Sequence, residues 1–208
     1  MAFSPAVQAY ENPGFGVAYW NVGEGVSENH YMAFGNWEYK AYRGAFRYSY
    51  GELDSIYCES RANLEGAFLW KYFGFGGGYG FSMEWVPGDA FWTRHFYDVG
   101  LLAHYENLTF GFSLMGFTDE TPEPLATLYW RPSSGLRLLV QGNRQYVNTG
   151  YELCFSHLCL ESAFRTPSFA VFFGGSVSFG GWNAGGKHLF GGEDLDQNVF
   201  WLHKSIQK

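Results

Sequence analysis

Ser156 and His157 stand side by side, with Glu152 and Glu161 close by. A serine, a histidine and an acid are the parts of a hydrolytic triad, and at the rim of a membrane barrel they would make a lipid hydrolase. Successive residues of a strand point to opposite faces, so this pair converges only if it sits in a turn. A polar turn is the plainer reading. Asp194-Leu195-Asp196-Gln197-Asn198 places side-chain oxygens at alternate positions, as a calcium loop begins, but it lacks the later Gly and Glu of that motif. It reads as an exposed acidic loop. The histidines, His30, His95, His104, His157, His188 and His203, are dispersed without metal spacing, so neither a metal nor a cofactor is expected.

The cysteines flank the same Ser-His pair. If Ser156-His157 is a two-residue hairpin turn, Phe155 pairs with Leu158 and Cys154 lies opposite Cys159. That is a non-hydrogen-bonded position with Cα atoms about 4.5 Å apart, inside the disulfide range of about 4.4–6.8 Å. An oxidising compartment would let the bond form, and both remaining free strand residues is the alternative. Cys58 is left over in either case.

A third set of residues is polar where its neighbours are not. Asn63, Glu65, Lys71, Arg137, Gln141 and Asn143 each fall opposite an apolar face in stretches that alternate with period two. A charge facing lipid at mid-depth costs about 2–4 kcal/mol, so in a membrane barrel these six belong in the lumen. There they could form a hydrogen-bonded network that holds the barrel shut, or they could line a solute path. A barrel near twelve strands can fill much of its interior with side chains, which favours the network.

The elements that would carry these residues are strands. From Tyr97 to Tyr105 the odd positions read Tyr, Val, Leu, Ala, Tyr, and the even positions Asp98, Gly100, Leu102 and His104 oppose them. After Glu106 the pattern restarts with Leu108, Phe110, Phe112 and Leu114. Helical periodicity is found over no useful length. Turn chemistry recurs at Gly35-Asn36, Tyr50-Gly51, Pro87-Gly88-Asp89, Glu106-Asn107, Pro132-Ser133-Ser134-Gly135 and Asn148-Thr149-Gly150. Strands between such joints number about twelve, with ten to fourteen allowed because 51–61 and 180–198 are ambiguous. The expectation is an all-β, single antiparallel transmembrane barrel occupying 1–208 as one domain, with 1–13 an N-terminal segment that could tuck into the lumen.

Composition agrees. Aromatic residues make up 21% of the 208 residues and charged residues only 16%, against about 25% in an average soluble domain. A membrane barrel displays aromatics outward in two interfacial girdles as well as burying some. The net charge of -7, with no basic stripe, argues against a nucleic-acid partner. The chain opens on Met1-Ala2-Phe3-Ser4-Pro5 without a charged and then apolar leader, as a mature chain freed of its export signal would.

Several segments resemble one barrel family. Ala9-Tyr10-Glu11-Asn12-Pro13-Gly14 is similar to the Asn-Pro-Ala-Gly signature near the start of FadL-like outer-membrane barrels and of the related PorV/PorQ type, although no Ala separates Pro13 from Gly14. Leu128-Tyr129-Trp130-Arg131-Pro132, then Ser133-Ser134-Gly135 and Leu136-Arg137-Leu138, resembles their strand ending in Arg-Pro, turn and new strand. Phe164-Arg165-Thr166-Pro167-Ser168-Phe169 and Gly175-Ser176-Val177-Ser178-Phe179-Gly180 resemble their late strands, and Trp201-Leu202-His203-Lys204-Ser205-Ile206 their closing one. The resemblance implies a non-enzymatic protein of the Gram-negative outer membrane, surrounded by lipid. It would pass small or hydrophobic molecules, or serve as a subunit of an envelope or secretion assembly. A lipid hydrolase and a soluble barrel holding a small hydrophobic ligand are the rival readings.

Overall fold

The computed structural model describes residues 13–22, 28–53, 56–88, 91–191 and 197–206. Fourteen antiparallel strands follow one another without a crossover. The first seven are β1 (Gly14–Val22), β2 (Glu28–Tyr39), β3 (Tyr42–Leu53), β4 (Tyr57–Trp70), β5 (Phe73–Trp85), β6 (Phe91–Tyr105) and β7 (Leu108–Phe117). The rest are β8 (Glu123–Ser133), β9 (Leu136–Gly142), β10 (Val147–Phe155), β11 (Leu158–Thr166), β12 (Ala170–Phe179), β13 (Trp182–Phe190) and β14 (Gln197–Ser205). Each pairs with its chain neighbours, and β1 returns to β14, so the sheet closes on itself. The wall is uneven in height: β4 and β6 have 14 and 15 residues, whereas β9 has 7.

The strand number corrects the expected twelve, and three of the expected turns fall inside strands. Gly35-Asn36 lies inside β2, Tyr50-Gly51 inside β3 and Asn148-Thr149-Gly150 inside β10, where turns were expected. These residues do not bend the chain. Gly51 leaves room for a ring, since a Cβ there would lie 2.4 Å from His30 Nδ1. Asn148, whose amide is a turn signal in sequence, faces inward and accepts a 3.0 Å hydrogen bond from Arg165 Nε. The ambiguous stretches hold true joints instead, between β3 and β4 and between β12 and β13. The N-terminal segment expected at 1–13 falls outside the described residues except for Pro13.

Alternation assigns the two faces. Along β6, Leu101 is 63% exposed and the adjacent Leu102 is 2% exposed. The register carries the outward set around the barrel: Trp70, Phe73, Ala103, Phe110 and Leu128 form one cross-strand row, and Phe68, Phe75, Leu101, Phe112 and Ala126 the next. Exposed apolar side chains of this density have no place against water. Aromatic residues gather towards the two ends, with Tyr39, Tyr42, Trp70, Tyr105, Trp130 and Trp182 beside the short turns and Tyr19, Tyr31, Tyr50 and Trp85 towards the other rim. The chain from Tyr31 to Tyr39 covers roughly 27 Å along a strand, or about 20 Å along the axis of a barrel tilted near 40°. A bilayer demands an apolar band about 25 Å tall, most of which this span covers.

All six two-residue turns, together with both ends of the described chain, lie at one rim. Four of them open on a left-handed non-glycine residue, Lys40, Lys71, Glu106 and Ser156. At β8 the Arg131-Pro132 step falls where the register shifts between Trp130 and Ser133, because proline has no N–H to give the ladder. The turns yield a paired stability test. A side chain at φ 51° crowds its own carbonyl, so Glu106→Gly should stabilise the folded barrel, and Gly180→Ala at φ 54° should destabilise it, each by about 1 kcal/mol. Urea midpoints in detergent that move the other way would contradict the turn conformation.

Candidate functional site

The inward face is where the charges are. Each strand that alternates apolar residues outward brings the intervening residues to the lumen, and the closed register sets them side by side. On β2 and β3, Arg43 pairs with Glu38 at 2.9 Å. Arg47 of β3 reaches Glu65 of β4 at 3.2 Å, and Asn63 Nδ2 donates to the same Glu65 oxygen at 2.7 Å. Asp98 of β6 faces Glu65 across Gly78 of β5 and is buried.

Across the barrel, Arg137 of β9 donates to Glu152 of β10 at 2.7 Å, and Glu161 of β11 is the register partner of Glu152. Lys187 of β13 lies over Gly174 of β12, where a Cβ would come 2.5 Å from the Lys187 Cβ and 3.0 Å from Glu161 Oε1. Along this stretch, from β9 to β13, a cation at each end, Arg137 and Lys187, flanks the neighbouring acids Glu152 and Glu161. The Arg165 guanidinium stacks over the rings of Tyr146 and Phe172 at 4.7 and 5.2 Å. Gln141 is 2% exposed and donates to Thr127 Oγ1 at 3.3 Å.

At the rim away from the short turns, β4, β5 and β6 carry a second polar cluster. Ser82 Oγ donates to Glu59 Oε1 at 2.7 Å, Glu59 also pairs with Arg61, and Trp92 Nε1 donates to Glu84 Oε2 at 2.7 Å. Arg94 pairs with Glu120 and lies 3.7 Å over the Phe117 ring. Charged side chains therefore run from mid-barrel to this mouth along the tall wall.

Of the six residues expected in the lumen, Asn63, Glu65, Arg137 and Gln141 stand on inward strand positions. The other two lie just beyond strand ends. Lys71 occupies the β4–β5 turn, its Nζ 4.8 Å over the Tyr72 ring, and Asn143 lies past the end of β9. Asn143 Oδ1 there accepts from the backbone N–H groups of Gln145 and Tyr146 at 2.8 and 3.0 Å, which shapes the loop. In both, alternation was carried one step past the strand end. Asp98 and Arg47 are not among the expected lumen residues, and Glu152 and Glu161 enter only as acids beside Ser156-His157, although Asp98 sits on the polar face of a strand whose period is plain. The signal for Asp98 is the Gly-rich run of β5, where Gly74, Gly76, Gly78 and Gly80 all face inward and leave its neighbours room.

Cys154 and Cys159 are register partners on the inward face, joined by a disulfide with Cα atoms 4.1 Å apart. The Cys154 N–H donates away from β11, to Gly135 O at 2.7 Å, as the non-hydrogen-bonded position requires. Cys58 is free and buried. Ser156 and His157 form the turn beyond this pair and are exposed, while Glu152 is held by Arg137. Of the acidic loop at 194–198, Asp194, Leu195 and Asp196 lie outside the described residues. Gln197 begins β14, and Asn198 follows with its Oδ1 2.7 Å from His188 Nδ1.

No family model matches the sequence, and none of the curated proteins shows significant sequence similarity to it. Solved structures do match. The outer membrane protein Omp33 of Acinetobacter baumannii superposes with a TM-score of 0.62 at 8% identity, over 94% of this chain and 99% of that one. The fold is that of the Omp33 barrel. A mutant of the Rh. blastica porin matches over the same shares at 6% identity with a TM-score of 0.49, too loose a likeness to build on.

The Arg137–Glu152 pair tests how the lumen wall is held together. Both side chains are about a third exposed, so solvent screens the contact. A double-mutant cycle with Arg137→Ala and Glu152→Ala should give a coupling of about 1 kcal/mol or less. A coupling of several kcal/mol would mean that this wall is sealed from water.

Proposed function

We propose that this chain is an integral outer-membrane channel through which small polar solutes pass along a charged lumen, with membrane lipid as the partner of its outer face. The observation that carries the reading is the division of charge between the faces of one closed sheet. Ion pairs such as Arg47–Glu65 and Arg137–Glu152 lie inward, while the mid-barrel rows outside are built from Phe, Leu, Ala and Val. Such a surface fits hydrocarbon, where backbone polar groups must all be paired and only a closed barrel of strands satisfies them. In such a barrel, short turns face the periplasm and longer loops the outside, which would put the Glu59–Glu84–Arg94 mouth at the cell exterior.

The lumen lining also discriminates among solutes. Carboxylates, guanidiniums and amides shed water reluctantly and offer little to a hydrocarbon chain, so they suit hydrated solutes better than hydrophobic ones. The narrower kinship with FadL-like barrels, and with it uptake of hydrophobic molecules, rests on the short sequence segments alone. Pockets lined by apolar groups, the usual shape of a hydrophobic-ligand site, would have to lie elsewhere than on the inward faces of β3 to β6.

Planar-bilayer recording tests the channel. The purified, folded protein is expected to give a steady ohmic conductance after insertion. Insertion without any conductance, in protein whose folded state is verified by its electrophoretic shift on heating, would contradict the channel and return the lumen to a filled, structural role.

A further inference from the structure

Halfway along the tall wall, the bare inward face of β5 is covered from both sides by acids. Glu65 of β4 and Asp98 of β6 are the register partners of Gly78. A Cβ at Gly78 would lie 2.5 Å from Asp98 Oδ1 and 2.8 Å from Glu65 Cγ, so the two side chains meet over backbone. Both residues are more than nine-tenths buried, at 7% and 5% exposure.

The oxygens at this spot are not all used by the protein. Asp98 Oδ1 is buried and has no hydrogen-bond partner. Asn63, one inward position along β4, gives its Nδ2 to Glu65, which leaves the Asn63 Oδ1 buried and equally without a partner. The cation present is Arg47, whose Nη1 is 3.2 Å from Glu65 Oε1 and whose side chain is 27% exposed. Two carboxylates and a carboxamide therefore meet at one spot, and the guanidinium there contacts Glu65. A buried carboxylate oxygen without a partner is costly unless positive charge comes to it. Hard oxygen donors of this kind, carboxylate and carboxamide together, are what a small hard cation takes.

We infer that Asn63, Glu65 and Asp98 form a binding site for a small hard cation in the lumen wall, with Gly78 providing the space and Arg47 limiting the affinity. The inference rests on the channel reading in one respect, that it names cations as the solutes the lumen favours. The binding itself does not depend on conduction. Arg47 keeps the site weaker than a dedicated calcium loop, which suits an ion that must leave as well as enter.

Calcium is the probe, added to the detergent-solubilised folded barrel in a calorimeter. One saturable Ca2+ site is expected. Asp98→Asn, which keeps the shape and removes the charge, should weaken it about tenfold or more, because affinity follows the charge count of the ligands. Arg47→Gln should tighten it several-fold by removing the competing cation, and this variant decides the matter if Asp98→Asn does not fold. Absence of saturable binding in the folded wild type, or an unchanged affinity in the variants that fold, overturns the site. Bilayer recording separates the two claims: a barrel that conducts but does not bind Ca2+ loses the site and keeps the channel. One that binds but does not conduct keeps the site and loses the channel.

Discussion

Between Gly14↔Ser205 and Val22↔Gln197, β1 and β14 pair along the whole length of β1, and the remainder of the molecule depends on that seam. Without it, both strands would present rows of unpaired N–H and C=O groups to their surroundings. In hydrocarbon each such group costs several kcal/mol, and in water the open edges would invite association with other chains. The seam continues to the rim, where the Ile206 N–H donates to Pro13 O at 2.7 Å. Closure fixes the register of all fourteen strands at once, and a one-residue slip of β6 would turn Leu101 inward and Asp98 outward.

Once closed, the sheet uses one alternation to satisfy two environments. Outward positions supply apolar area and interfacial rings, and inward positions supply charges that need each other. The charges are neighbours because the register makes them so: Arg137 meets Glu152, Arg47 lies one strand from Glu65, and Lys187 comes beside Glu161 over a glycine. Glycine takes part by omission. The inward face of β5 carries Gly74, Gly76, Gly78 and Gly80 in succession, and side chains from β4 and β6 occupy the space. A lumen built this way has crowded walls beside bare ones, and its polar groups collect along the bare one.

Much of this was legible in the sequence wherever alternation ran unbroken. The β6–β7 hairpin reads directly from Tyr97 to Leu114, since Gly100 and Gly111 each stand singly within unbroken alternation and only Glu106-Asn107 pairs two turn formers. The β10–β11 register follows from two cysteines spaced symmetrically about Ser156-His157. Legibility failed where one residue type serves two purposes. Gly and Asn signal turns, but Gly51 makes room for the His30 ring and Asn148 binds Arg165, so both are strand residues. Lys71 and Asn143 continued the alternation on paper although the strands had ended, since period two says nothing about where a strand stops. Asp98 was visible as a polar position, but its burial beside Glu65 needs the pairing of three strands, which no local pattern contains.

The central claim is that odd and even residues of one strand meet lipid and lumen in turn. Single nitroxide labels at positions 97 to 103 of β6, in a Cys58→Ser background reconstituted into lipid vesicles, test it directly. The fold predicts accessibility with a period of two: high to oxygen and low to a water-soluble nickel chelate at 97, 99, 101 and 103, with weaker oxygen access at 98, 100 and 102. An absence of that period, or nickel access at the odd positions, would contradict a lipid-facing outer surface and with it the membrane barrel.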